Sequence, residues 1–129
     1  MPAKPAPAIR NTQQRKAILG VFEASHHPLS PEQILDAAKE GQPGLGIATV
    51  YRELKRLCEA GDIVPVQLPG EAMRYERAGH GHHHHFKCVK CDGVFDFEGC
   101  LGNVASLLPK GFKHQSHEII VYGTCADCR

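Results

Sequence analysis

The 129-residue sequence lacks several features that would each point to a class. It has almost no net charge, with 15 Lys and Arg against 14 Asp and Glu for a formal +1, so there is no global pull towards nucleic acid or anionic lipid. No apolar run approaches the roughly 20 residues of a membrane span, and no membrane partner is expected. No internal repeat is visible. There is no His-Glu-x-x-His or other recognisable catalytic motif and no separate general base, so neither an enzyme nor a small-molecule substrate is expected. No strand–helix–strand pattern surrounds the cysteine pairs, as a redox-active dithiol would require. The N-terminus lacks the apolar core of a signal peptide, and the chain is expected to be cytoplasmic, where thiols stay reduced and paired cysteines favour metal over disulfide. Acid is also missing locally: residues 1–16 carry Lys4, Arg10, Arg15 and Lys16 and no carboxylate.

Against these absences stand two Cys-x-x-Cys pairs, Cys88–Cys91 and Cys125–Cys128. Each presents two thiolates, and together they complete a tetrahedral zinc set with no open position for catalysis. One structural Zn2+ per subunit is expected there. Cys58 and Cys100 read most simply as buried small apolar residues, with an accessory ligand role for Cys100 as the alternative.

The first ten residues read as a disordered basic leader. Thr12 is a candidate N-cap, followed by Ile18, Leu19 and Phe22 at helical spacing. Ser30-Pro31-Glu32-Gln33 carries a cap, a Pro at the first helical position and a capping-box Gln. A third helix from about Ile47 to Ala60 has Val50, Leu54, Leu57 and Cys58 on one stripe. Its other face carries Thr49, Tyr51, Arg52, Lys55 and Arg56. Ile63–Val66 and Ala72–Tyr75 flank Pro69-Gly70 as a hairpin. Three helices and a hairpin make a winged helix-turn-helix, whose third helix would enter the major groove. The alternative is an amphipathic helix with a merely solvated charged face.

Beyond a Gly-containing hinge the signals change to strands: His83–Val89, Val94–Glu98 and Ile119–Tyr122, with a short helix around Leu101–Leu108. So small a sheet needs a metal, a partner subunit or both. The fold class expected is α+β. A winged-helix domain (residues 11–78) is joined by a hinge (79–82) to a small α/β dimerisation and metal-binding domain (83–129).

His82-His83-His84-His85 lies on a predicted strand, where side chains alternate faces. His83 and His85 then point one way and His82 and His84 the other, enough to anchor two sites. Nearby carboxylates are Glu76, Asp96, Glu98 and Glu118. Mixed imidazole and carboxylate ligands suit Zn, Fe(II), Mn or Ni alike. His117 starts the last strand and is a further candidate ligand.

Gly46-Ile47-Ala48-Thr49-Val50-Tyr51-Arg52, the His run leading into Cys88-x-x-Cys91, and Tyr122-Gly123-x-Cys125-x-x-Cys128 together resemble the ferric-uptake-regulator (Fur) family of bacterial metal-dependent repressors. The resemblance spans about Thr12 to Cys128. It implies a homodimer, zinc on the four cysteines, and a regulatory metal at the hinge that closes the dimer onto palindromic operator DNA. It implies regulatory ligands His27, Glu76, His83, His85 and Asp96, although His27-Pro28-Leu29-Ser30 is one residue longer than the family's usual spacing. An additional site would fall on His82, His84, Glu98 and His117. Arg15, Thr49, Tyr51 and Arg52 would face DNA. Zn2+ or Fe2+, with Mn2+ as a third option, would be the ion sensed. Asp96 also resembles the peroxide-sensing branch. The competing classes are a metal buffer and a metal-dependent hydrolase.

Overall fold

The computed structural model describes residues 7–79, 81–100 and 102–129, with backbone only for 7–11. Residues 1–6 of the expected leader, His80 of the expected hinge and Leu101 lie outside the described residues. The chain divides after Gly79 into two compact units.

The first unit holds three helices and a hairpin. Helix α1 runs Pro7–Ala24, starting well before the expected Thr12 cap, so Pro7 to Arg10 are helical rather than leader. A proline fits the first helical turn, where its missing N–H has no partner to lose. Helix α2 (Pro31–Ala38) carries the expected capping box. The Gln33 N–H donates to Ser30 Oγ at 3.2 Å, and the Ser30 N–H donates to Gln33 Oε1 at 2.9 Å. Helix α3 spans Ile47–Glu59. It ends at Gly61, whose φ of +79° suits glycine. There the Asp62 N–H reaches back to the Leu57 carbonyl at 2.9 Å and the Gly61 N–H to that of Cys58 at 3.1 Å, a Schellman closure.

Ile18, Phe22, Ile34, Ala38, Leu45, Val50, Leu54, Leu57 and Ile63 form one buried cluster. Burying each larger side chain contributes about 1.5–3 kcal/mol. Strands β1 (Ile63–Val66) and β2 (Arg74–Arg77) pair antiparallel, with Ile63 opposite Arg77. The second strand thus begins later than the expected Ala72, which lengthens the turn around Pro69-Gly70. Leu29 bridges to Tyr75 on the far side of β2, with both backbone bonds made at 2.8–2.9 Å. Helices, bridge and hairpin together are the winged helix-turn-helix expected from the sequence.

The second unit is a three-stranded sheet in the order β4-β3-β5. Strand β3 is His84–Cys88, β4 is Val94–Phe97 and β5 is Ile120–Gly123. β3 pairs antiparallel with β4 and parallel with β5. The expected short helix is a single 3-10 turn, Val104–Leu107, with no buried residue. Gly102 before it and Pro109 and Gly111 after it favour a short turn over a longer helix. No helix among the described residues is long and apolar enough to cross a membrane.

Candidate metal centres and nucleic-acid face

Three groups of ligand-type side chains emerge. In the first, Cys88, Cys91, Cys125 and Cys128 are all free thiols, with every Sγ within 4.8 Å of the others. The parallel pairing of β3 with β5 sets Cys88 opposite Gly123 and so delivers Cys125 to Cys88. The turn after Cys88 is held from several sides. Its N–H donates to the Gly93 carbonyl at 2.9 Å. The Asp92 N–H returns to the Cys88 carbonyl at 3.1 Å, with Asp92 at φ +61°. Buried Lys87 donates to the Asp92 carbonyl at 3.3 Å and lies 3.4 Å from its carboxylate.

The N–H groups of Cys91 and Cys125 point at Cys88 Sγ from 3.5 and 3.4 Å. These backbone donors hold the Cys88 thiol down at about 6. Sulfur neighbours, Cys125 first, push Cys128 up to about 12. Four sulfurs so close cannot all ionise without a cation among them, which is the chemistry of a structural zinc.

The second group lies on one face of the same sheet. His85 sits opposite Asp96 in the β3–β4 register. His85 Nε2 is 3.1 Å from Asp96 Oδ1, and His83 Nε2 is 3.9 Å from Oδ2. The His83 and His85 rings stand 5.0 Å apart. All three side chains are largely shielded from solvent. Glu76, also expected here, is a buried residue of β2 in the first unit. His27 is exposed in the loop before α2.

The third group uses the opposite face. His82 and His84 rings are 4.5 Å apart, and His117 lies 4.9 and 5.3 Å from them. The fourth member is Cys100 rather than Glu98. The end of strand pairing supplies the reason. Asp96 faces His85 and Phe97 faces His84, and β4 ends there, so the residues that follow, Glu98 to Cys100, are no longer held in strand alternation. Cys100 is exposed, not buried as expected, and its Sγ is 3.0 Å from His117 Nε2.

The Ile119 N–H faces His84 Nδ1 at 3.1 Å. His84 Nε2 is buried with no hydrogen-bond partner among the described residues. With Nδ1 accepting from Ile119, the neutral ring carries its proton on Nε2, and an ion bound at Nε2 would require the other tautomer. Burial, then the neighbouring His82, lowers the pKa of both His84 and His117. The shift favours the neutral ring, the form that ligates.

The first unit presents a basic face. Arg15, Thr49, Arg52 and Arg56 line one depression with Gln14 and Glu53. Arg52 donates to Thr49 Oγ1 at 2.9 Å. Tyr51 is 50% exposed. Glu53, which the sequence pattern alone did not single out, accepts from Arg15 at 3.1 Å and from Arg56 at 2.8 Å. Only the i,i+3 spacing of Glu53 and Arg56 was readable in advance; the tie to Arg15 requires the helix crossing.

The ferric uptake regulator family model matches residues 7–122. A ferric uptake regulation protein of Campylobacter jejuni is 34% identical over 125 residues, covering 93% of this chain and 80% of that protein. A zinc uptake regulation protein of Mycobacterium tuberculosis is 31% identical over 129 residues, covering 96% and 98%. Among solved structures, the Helicobacter pylori ferric uptake regulator, described with three functional metal binding sites, matches with a TM-score of 0.70 at 27% identity over 89% of this chain and 79% of that one. With its winged helix-turn-helix, its four-cysteine cluster and its two-faced histidine strand, the chain belongs to the ferric uptake regulator family of metal-dependent transcriptional regulators.

Proposed function

We propose that this regulator is a homodimeric repressor of metal-homeostasis genes whose hold on a palindromic operator depends on an ion bound by His83, His85 and Asp96. One observation carries the reading. The imidazoles of His83 and His85 converge on Asp96 at 3.9 and 3.1 Å, and only a few residues of chain separate them from the end of the wing at Arg77.

A divalent ion, Zn2+ or Fe2+ with Mn2+ as a third option, supplies there a concentrated charge that several donors can share. Glu76 and His27 of the first unit are the further ligands that the family resemblance adds. Ligands drawn from both units make ion affinity depend on how the units are arranged, and only that difference in affinity shifts the population. Ion and operator must then raise each other's affinity by the same factor. The family resemblance assigns the DNA face to Arg15, Thr49, Tyr51 and Arg52, and two such helices would be set at the spacing of a palindrome. A structural Zn2+ on the four cysteines would hold the second unit together.

The dimer is supported by β5, an outer strand of its sheet. Its Val121 and Tyr122 are 42% and 51% exposed, and an apolar sheet edge calls for a cover.

The test is metal content by plasma mass spectrometry before and after mild chelation, with operator binding followed on the same samples. Zinc surviving chelation, and DNA binding restored by one particular ion, supports the repressor and names the ion. DNA binding indifferent to every ion would remove the switch. Ion binding with no DNA affinity would favour a metal buffer.

A further inference from the structure

We propose that the Cys100 thiolate is the fourth ligand of a second ion held by His82, His84 and His117, and that it makes this site selective for zinc-class ions. All four donor atoms lie within 4.8 Å of one another. A tetrahedral zinc would draw such donors to roughly 3.5 Å apart. Two of them already stand closer than that, Cys100 Sγ and His117 Nε2 at 3.0 Å.

The histidines are built for this role. His84 is 1% exposed, and its ring lies 4.5 Å from that of His82 and 5.3 Å from that of His117. His117 is held from its other side, where its Nδ1 lies 2.9 Å from His114 Nε2. If His117 Nδ1–H donates there, its Nε2 is left as a lone pair facing the thiol. His114 is then a positioning residue, the outer partner that a ligating imidazole usually has.

Position decides the fourth ligand. Strand β4 ends at Phe97, Gly99 takes a φ of +109°, and it is Cys100 rather than Glu98 that falls among the histidines. Replacing a carboxylate by a thiolate changes which ion is preferred. Three imidazoles and one thiolate suit Zn2+, whereas Fe2+ and Mn2+ gain less from sulfur in place of oxygen. The inference does not rest on the repressor reading, because every residue involved belongs to the second unit and only ion binding is measured.

The experiment uses the full-length chain, treated with a mild chelator that leaves the four-cysteine zinc in place and then titrated with Co2+. Zinc content is counted in parallel. The wild type is expected to gain a near-ultraviolet thiolate-to-cobalt band as the ion binds. Cys100→Ser, an exposed and conservative change, should lose that band. His82→Ala should lose it too with every thiol intact, which ties the sulfur signal to this cluster. In the same samples Zn2+ should shield Cys100 from iodoacetamide in the wild type and not in His82→Ala. A band that survives Cys100→Ser, cobalt binding with no sulfur band, or alkylation of Cys100 unaffected by Zn2+ would each overturn the proposal.

Discussion

Arg15 on the first helix donates to Glu53 on the third at 3.1 Å, and the same carboxylate takes Arg56 through its other oxygen at 2.8 Å. Glu53 is nearly buried while both guanidiniums are about half exposed. One acid therefore aims two cations from two helices. This leads to a prediction in which two effects oppose each other. Deleting a negative charge beside the proposed DNA face should by itself strengthen phosphate attraction. Releasing two arginines from a fixed orientation should weaken it, because ordering them then falls on the binding step. We expect orientation to win, so that Glu53→Ala loses about tenfold in operator affinity, or about 1.4 kcal/mol. Fluorescence anisotropy at fixed salt and saturating ion measures it, and tighter binding by the variant would show that Glu53 does not organise the face.

What the sequence disclosed follows the range of the interactions concerned. Local ones were legible: the Ser30–Gln33 capping box, the stripe of Val50, Leu54 and Leu57, and the alternation that splits the four histidines between two faces. The four-cysteine set was legible because its chemistry leaves few other uses. Cys100 was legible only as an alternative ligand, because its place depends on the backbone after β4 ends at Phe97, where Gly99 takes a φ of +109°. Glu53 was hidden, since its second partner is 38 positions away. The start of the first helix was obscured by a proline-rich composition that resembles a leader, although a proline is acceptable in a first turn.

The two units should respond differently to loss of zinc. The second unit has strands of only four or five residues, too few to hold a sheet alone. The first has its own buried core from Ile18 to Ile63. Strong chelation, or Cys125→Ser, should therefore raise hydrogen exchange across residues 84–123 while the amides of α2 and α3 stay protected. Mass spectrometry of peptic fragments separates the two regions. Uniform loss of protection in both units would refute independent stabilisation, and unchanged protection in residues 84–123 would refute a structural role for the metal.

Tyr122 is half exposed on an outer strand beside Val121. A charge introduced there should oppose burial against a second copy, since an unpaired buried carboxylate is far costlier than an exposed one. Tyr122→Asp should shift sedimentation velocity from dimer towards monomer and weaken operator binding with it, with the four-cysteine zinc retained. A variant that remains dimeric at the same concentration would place the interface elsewhere.

Gly93 gives the sharpest test of the zinc site proposed on the four cysteines. A Cβ built on it would stand 3.0 Å from a ring carbon of Phe95 and 3.2 Å from Cys91 Sγ. The first contact falls on a ring that can shift by a few tenths of an ångström. The second falls on a sulfur that a zinc bond of about 2.3 Å would hold in place. Gly93→Ala must therefore push the knuckle open or strain the metal bond, and either should weaken zinc retention by about tenfold, equivalent to about 1.4 kcal/mol. Competition with a chromogenic chelator at neutral pH reads this directly. Phe95→Leu alone, which removes the neighbouring ring but leaves the sulfur undisturbed, should retain zinc nearly as well as the parent. If Gly93→Ala holds zinc as tightly as the parent, the four sulfurs are not locked around an ion.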